Sequence, residues 1–196
     1  EKTEYADFRW NCETLFCVEE FFKTASENEK EAFLRLVREG KLGISANYLN
    51  FTDLLEVPVY RERLLQWKKY FQENEVPFRT AMFADINGIS MAMIDQGIEF
   101  LYTNIHCHHG MYPLYKNQTA YWWENAAGKR ILVWNGEHYN LGNALGIKSN
   151  PAVAYMQQKY FGQERVPEDI LEGLHENLMK YLDSCESQGY EYDFIA

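Results

Sequence analysis

The stretch Ala81-Met-Phe-Ala-Asp-Ile-Asn-Gly-Ile-Ser90 joins an apolar run to a carboxylate, a glycine turn and a residue type that caps helices. A short buried strand is predicted to end directly before Asp85. Asn87-Gly88 is typical of a turn, and Ser90 predicts the start of a helix over 91–96. The stretch therefore predicts one strand–turn–helix unit of an α/β fold.

Polar residues at the ends of predicted strands are the candidate functional groups. In α/β folds the C-terminal ends of parallel strands carry the chemistry, which makes Asp85 a candidate catalytic residue. The alternative is that Asp85 is a turn residue that satisfies nearby backbone N–H groups. Glu13 and Asn50 also follow predicted strands. For Glu13 the ordinary alternative is a salt bridge at the surface.

Apolar spacing predicts strands and helices that alternate along most of the chain. Ser26 and Glu29 fit a capping box, and Pro58 is predicted to interrupt a helical stretch. Regular alternation indicates a mostly parallel sheet, either open or closed into a barrel. The predicted strands cover 7–10, 42–46, 81–84, 98–102, 119–123, 130–134 and 190–196, and the predicted helices cover 15–24, 26–39, 60–74, 91–96, 152–160 and 167–185.

Composition limits the possible classes of function. The chain has 196 residues and a formal net charge of −10, which argues against a nucleic-acid surface because phosphate binding needs a cationic face. No apolar run approaches the length of a membrane span, so we expect no membrane partner. The four cysteines form no CxxC pair, so neither a zinc ribbon nor a thioredoxin-like site is indicated. Aromatic residues make up 16% and suit either a core or sugar faces.

Two further segments contain groups suited to binding. His106-Cys-His-His109 invites a zinc interpretation, but consecutive strand residues point to opposite faces, so sugar-hydroxyl contacts or ordinary histidines are favoured. His138 and Tyr139 lie in a polar–aromatic loop after an apolar strand, where a binding role and a structural role are equally open. Asp85 and Glu137 are candidates for the carboxylate pair that glycoside hydrolysis requires.

Three segments together resemble the N-terminal catalytic domain of family 38 glycoside hydrolases, the α-mannosidases. They are Trp10-Asn-Cys-Glu13, Leu36-Val-Arg-Glu-Gly-Lys-Leu-Gly-Ile44 and Phe83-Ala-Asp-Ile-Asn-Gly-Ile-Ser90. The family has Trp-x-x-Glu, then Leu-Val-x-x-Gly-x-Leu-x-Ile, then Asp-Pro-Phe-Gly-His-Ser. Asp85 matches the aspartate of the last motif, and the glycine and serine follow it at the family's offsets. The segments Tyr121-Trp122-Trp123 and Lys129-Arg-Ile-Leu-Val-Trp134 resemble the strands that come next.

The resemblance implies a (β/α)7-type barrel of the glycoside hydrolase and deacetylase kind, incomplete in this chain. It implies a retaining, metal-dependent glycosidase for α-mannosides or related glycans, with Asp85 as nucleophile and zinc ligand. The family's His-x-His-x-Asp motif would precede Glu1, so the other ligands are expected outside this chain. The substrate-binding residues that we predict are Trp10, Glu13, Asn50, His106, His138 and Tyr139.

We therefore expect residues 1–196 to be one domain, a fragment of a longer polypeptide that is inactive when isolated. The expected partners are a carbohydrate substrate, the rest of the parent polypeptide and possible further copies of the chain. The alternatives are a catalytically silent carbohydrate-binding relative and a deacetylase-like metal hydrolase. No targeting segment is visible, and the compartment is left open.

Overall fold

A computed structural model describes residues 6–50, 56–85, 90, 92–104, 118–137, 141–145 and 167–195. Within them the chain forms six strands and six helices. The strands are β1 (Trp10–Cys12), β2 (Leu42–Ile44), β3 (Thr80–Ala84), β4 (Phe100–Asn104), β5 (Thr119–Glu124) and β6 (Arg130–Asn135). The helices are α1 (Leu15–Thr24), α2 (Glu27–Arg38), α3 (Val57–Glu73), α4 (Ala92–Asp95), α5 (Leu141–Leu145) and α6 (Pro167–Ser187).

The chain divides into two compact units, Glu1–Gly136 and Glu137–Ala196. The first unit contains all the described strands. They form a parallel pair, β1–β2, and a four-stranded sheet in the order β3-β4-β6-β5. In that sheet β3, β4 and β6 are parallel, and β5 is antiparallel to β6. The second unit contains α5 and α6.

The segment after β2 joins the two sheets mainly through side chains. The Ala46 amide donates to the carbonyl of Thr80 at 2.8 Å. The Met82 amide donates to Ser45 Oγ at 2.9 Å, and Asn47 Nδ2 donates to the Met82 carbonyl at 3.2 Å. Ala46, Asn47 and, further along, Asn50 donate to the carbonyls of Thr80, Met82 and Ala84 in that order, so the chain after β2 runs in the same direction as β3. The parallel strands therefore follow one another in chain order, with helices between them.

One core packs the helices against one face of these strands. Alternate strand residues, including Phe83, Leu101 and Val133, are buried in the same cluster as residues of all four helices of the first unit. The described residues show a mixed α/β fold with a parallel sheet, and a closed barrel is not shown among them.

Several local predictions are confirmed. The capping box at Ser26 is present, with the Glu29 side chain accepting from the Ser26 backbone at 2.8 Å. Gly40 ends the helix region with a φ of +68°. The strands predicted over 119–123 and 130–134 are both formed, and they pair with each other in antiparallel direction. The helix predicted over 152–160 lies outside the described residues.

Two predictions are wrong. Pro58 does not interrupt a helix but lies in the first turn of α3, where a missing N–H leaves no acceptor unsatisfied. The predicted strand 190–196 is not formed in its described residues, 190–195. There the Tyr190 hydroxyl donates to the carbonyl of Phe194, so the segment makes local contacts instead of pairing with a strand.

In the second unit, α6 contacts two earlier residues. The Tyr181 hydroxyl donates to Glu137 Oε1 at 3.0 Å, and Asn177 Nδ2 donates to the carbonyl of Leu145 at 3.3 Å. These bonds connect the middle of α6 to the beginning of the unit and to α5. Within the described residues, no helix combines the length and the apolar character that a membrane crossing requires.

Replacing Ser45 with alanine is expected to destabilise the first unit by about 1–3 kcal/mol, because the Met82 amide loses its acceptor, the hydroxyl of the buried Ser45. Urea unfolding would show this as a lower midpoint with an unchanged slope. Ser187→Ala is the matched control, since that exposed hydroxyl donates to a carbonyl of its own helix, and it should change the free energy of unfolding by less than about 0.5 kcal/mol. Equal effects of the two substitutions would contradict the role given to Ser45.

A candidate carbohydrate site at the C-terminal edge of the sheet

Polar residues from separate loops meet where the parallel strands end. Glu13 follows β1, Asn50 follows β2 and Asp85 follows β3. Because these strands are parallel, their C-terminal ends lie at one edge of the sheet. We call Glu13, Asn50 and Asp85 the strand-end cluster.

Asn50 connects the cluster. Its Nδ2 donates to the carbonyl of Ala84 at 2.6 Å and to Glu13 Oε1 at 3.4 Å. The first bond fixes the peptide that joins Ala84 to Asp85, and the second holds the Glu13 carboxylate beside that peptide. The predicted salt bridge of Glu13 is not formed among the described residues, where its hydrogen bond to Asn50 takes that place. One amide side chain thus brings the loops after β1, β2 and β3 together.

The backbone of Asp85 has an unusual conformation. Its φ is +61°, in the left-handed region that only glycine adopts without strain. Aspartate is among the residue types that tolerate this region best. The Asp85 amide donates to the carbonyl of Asn104 at 3.0 Å, which connects the end of β3 to the end of β4. Strained residues cluster at functional sites, so this geometry supports a functional role for Asp85.

Three buried asparagines extend the edge beyond the cluster. Asn47 is 0% exposed, Asn104 is 3% exposed and Asn135 is 0% exposed. Among the described residues, the Oδ1 atoms of Asn47, Asn50 and Asn104 have no hydrogen-bond partner. Buried amide oxygens normally accept a hydrogen bond, so these three atoms are acceptors that the described residues leave unused.

Sequence reasoning missed two of these asparagines as functional candidates, Asn104 and Asn135. The signal was the one that identified Asp85: a polar residue at the end of an apolar strand. Both residues end strands of the same sheet, and the Gly136 amide after Asn135 donates to the carbonyl of Thr103 at 2.8 Å. A search for polar residues after every apolar run would have found them.

The other predicted site residues are not part of the cluster as described. Trp10 is the first residue of β1, at the opposite end of that strand from Glu13, and its side chain is 60% exposed. Its ring stacks on Phe8 with centroids 6.4 Å apart. Glu137 belongs to the second unit. The histidines 106 and 138 and the tyrosine 139, together with the 106–109 tetrad, lie outside the described residues, so their roles stay predictions.

Among the residues that the structure describes, no three histidine, cysteine, aspartate or glutamate side chains lie close enough together to hold a metal ion. Zinc normally requires three or four converging ligands. The described part of the cluster offers two carboxylates and one amide. These groups alone are suited to hydroxyl binding and do not form a zinc site.

Asn50→Asp tests whether the Asn50 side chain connects the loops of the strand-end cluster. The new carboxylate would face two acceptors, the Ala84 carbonyl and Glu13, which raises its pKa and destabilises the folded state. The loss in free energy of unfolding should be largest at neutral pH and should decrease as the pH falls through that raised pKa, because the protonated carboxyl group can again donate a hydrogen bond. Urea unfolding at several pH values measures it. Asn28→Asp on the exposed face of α2 is the control and should be nearly neutral; a pH-independent cost at position 50 would contradict the link.

No family model matches the sequence, and no curated protein matches it either. Solved structures do match. A 4-α-glucanotransferase from Thermococcus litoralis aligns over 79% of this chain with a TM-score of 0.54 and 15% identity. A protein in glycosyl hydrolase family 38 from Enterococcus faecalis aligns over 92% of the chain with a TM-score of 0.49 and 15% identity.

The chain spans about a quarter of the length of these two structures, 25% and 23% respectively. Both are named as carbohydrate-active enzymes. At this identity the likeness to the glucanotransferase shows a shared fold over the aligned residues. The chain therefore has a fold that is also found in part of a much longer carbohydrate-active enzyme.

Proposed function

We propose that the chain is part of a retaining glycoside hydrolase that acts on α-mannosides or related glycans, with Asp85 as its nucleophile. The observation that carries the proposal is the position of Asp85, directly after a parallel strand, with a φ of +61° and with both polar groups of the preceding peptide hydrogen-bonded. The fold shared with a glucanotransferase and the family 38 motif around Asp85 support the same substrate class.

In the proposed reaction the Asp85 carboxylate attacks the anomeric carbon while the bond to the leaving oxygen breaks and that oxygen takes a proton from a carboxylic acid. Water then hydrolyses the glycosyl ester, and the second inversion restores the original configuration. Two carboxyl groups are candidates for this acid. Glu13 is the other carboxylate of the cluster, and Glu137 is the residue that sequence analysis paired with Asp85.

Zinc is the cofactor that the family resemblance implies, with Asp85 as one ligand. The described residues do not complete a zinc site. Zinc would therefore be held by Asp85 together with ligands from outside the described residues. Metal analysis of the purified parent protein tests this part separately, and one zinc per chain is expected.

Asp85→Asn is expected to lower the turnover of an aryl α-mannoside by the parent protein by about 10⁴-fold or more, since a nucleophile is lost. Asp85→Gly should do the same while changing the free energy of unfolding by less than about 1 kcal/mol, because relief of the positive φ offsets the added chain entropy. The measurements are steady-state kinetics and urea unfolding of the parent protein.

Asp95→Asn provides the control for activity. Asp95 lies in α4 and pairs with Arg61 at 3.2 Å, so it should be dispensable for turnover. Near wild-type turnover in the Asp85 variants would remove the nucleophile assignment.

A catalytically silent carbohydrate-binding relative is the second candidate. The edge of the sheet is rich in asparagine, with Asn47, Asn50, Asn104 and Asn135 placed there, and amides bind hydroxyls without transferring protons. Saccharide binding without turnover and without bound zinc would favour this candidate. Release of acetate from acetylated sugars would instead favour a deacetylase-like metal hydrolase.

A further inference from the structure

A pocket lies between two helices of the first unit, and none of its lining residues belongs to the strand-end cluster. It is open to solvent and has a volume of about 290 Å³. Its walls come from α1 and α3, at positions three or four apart, which fall on one side of each helix. The lining residues are Glu19, Phe22, Arg63, Gln66, Trp67 and Tyr70. We call this cavity the α1–α3 pocket.

Three aromatic rings hold one another in place around the pocket. Phe22 meets Trp67 edge-on with centroids 5.8 Å apart, and it meets Tyr70 edge-on at 5.7 Å. Trp67 also stacks on Phe71, which is fully buried, at 5.3 Å. Because these rings are fixed by packing, a ligand that contacts them loses little side-chain entropy of the protein.

A carboxylate and a guanidinium stand side by side in the pocket. Glu19 Oε2 accepts from Trp67 Nε1 at 3.5 Å and lies 3.9 Å from Arg63 Nη1. The second distance is longer than a hydrogen bond. Arg63 also lies over the ring of Tyr48, with its Cζ 5.6 Å from the centroid. An acceptor and a set of N–H donors are therefore adjacent and both suited to hydroxyl groups.

The charged groups that already surround Glu19 indicate which class of ligand the pocket can bind. Burial alone raises the pKa of Glu19, but hydrogen bonds from Lys23, Trp67 and Tyr48 outweigh it and hold the pKa below its usual value. The carboxylate is thus ionised at neutral pH and already faces Lys23 at 3.3 Å and Arg63. A cationic ligand would compete with Lys23 for the Glu19 carboxylate, and an anionic ligand would be repelled by that carboxylate. A neutral ring with several hydroxyls can donate a hydrogen bond to Glu19 and accept one from Arg63.

We propose that the α1–α3 pocket binds one saccharide ring, with its apolar face against the aromatic walls and its hydroxyls shared between Glu19 and Arg63. The volume is close to the lower end of small-molecule pockets, which suits a single ring. This site is separate from the strand-end cluster and does not depend on catalysis at Asp85.

The test is titration of the protein with methyl α-D-mannopyranoside and methyl α-D-glucopyranoside, followed by amide NMR spectra. We expect saturable shifts at residues of α1 and α3, with an affinity on the order of millimolar. The same shifts should occur in Asp85→Asn, which distinguishes this site from the proposed catalytic one. No saturable shift, or shifts confined to the strand ends, would overturn the proposal.

Two substitutions remove the polar pair with little change in shape. Glu19→Gln and Arg63→Lys should each weaken binding by about tenfold, because hydrogen bonds to charged groups are lost. Arg61→Lys is the matched control on the same helix, since Arg61 pairs with Asp95, and it should bind normally. Melting temperatures check that each variant folds. Unchanged affinity in either folded pocket variant would overturn the proposal.

Discussion

The hydrogen bonds between the segment after β2 and the backbone of Met82 are the constraint on which the first unit depends. Only short strands precede this point, since β1 and β2 have three residues each. Ser45 and Asn47 supply side-chain atoms where a longer strand would supply a backbone ladder. Both residues are buried, so the bonds form away from water, and losing one partner there costs more than losing it at the surface. These bonds hold the two-stranded sheet beside the four-stranded sheet, with β2 and β3 running in the same direction.

That constraint also creates the candidate site. With β1, β2 and β3 parallel, the residues that follow them reach one edge of the sheet. Asn50 can then donate to Ala84 and Glu13 at once. The Asp85 amide continues the connection to Asn104 at the end of β4. The cluster is thus a consequence of strand direction, and each of its members is positioned by backbone that the sheet already fixes.

Local signals in the sequence predicted much of this fold. The Ser26–Glu29 capping box, the glycine that ends α2 and the apolar stripes of the helices act within a few residues, so one segment contains the whole interaction. The strand prediction for residues 190–196 was wrong for the opposite reason. Tyr190, Tyr192 and Phe194 alternate as strand residues do, but a strand also needs a neighbour, and no local pattern supplies one.

The candidate site likewise has one part that local sequence predicts and another part that it does not. Asp85 was predicted because a strand, a carboxylate and a turn are adjacent in sequence. The partnership of Asn50 with Glu13 and Ala84 spans 37 and 34 residues, and it exists only once the sheet has formed. The burial of Asn104 and Asn135, each the last residue of its strand, likewise exists only once the sheet has formed. The sequence therefore identifies single candidate residues, whereas the bonds that combine them into a site come from the tertiary structure.

The positive φ of Asp85 links stability to the proposed chemistry. A non-glycine residue in this region costs of order 1 kcal/mol, and it persists when its surroundings over-determine it. Here the Ala84 carbonyl accepts from Asn50 and the Asp85 amide donates to Asn104, so both polar groups of the peptide that precedes the residue are bound. Glycine would relieve the strain but would bring no carboxylate to this edge. The backbone that carries the Asp85 carboxylate is thus held by two neighbouring segments, and a group that must meet one carbon atom of a substrate requires such a fixed origin.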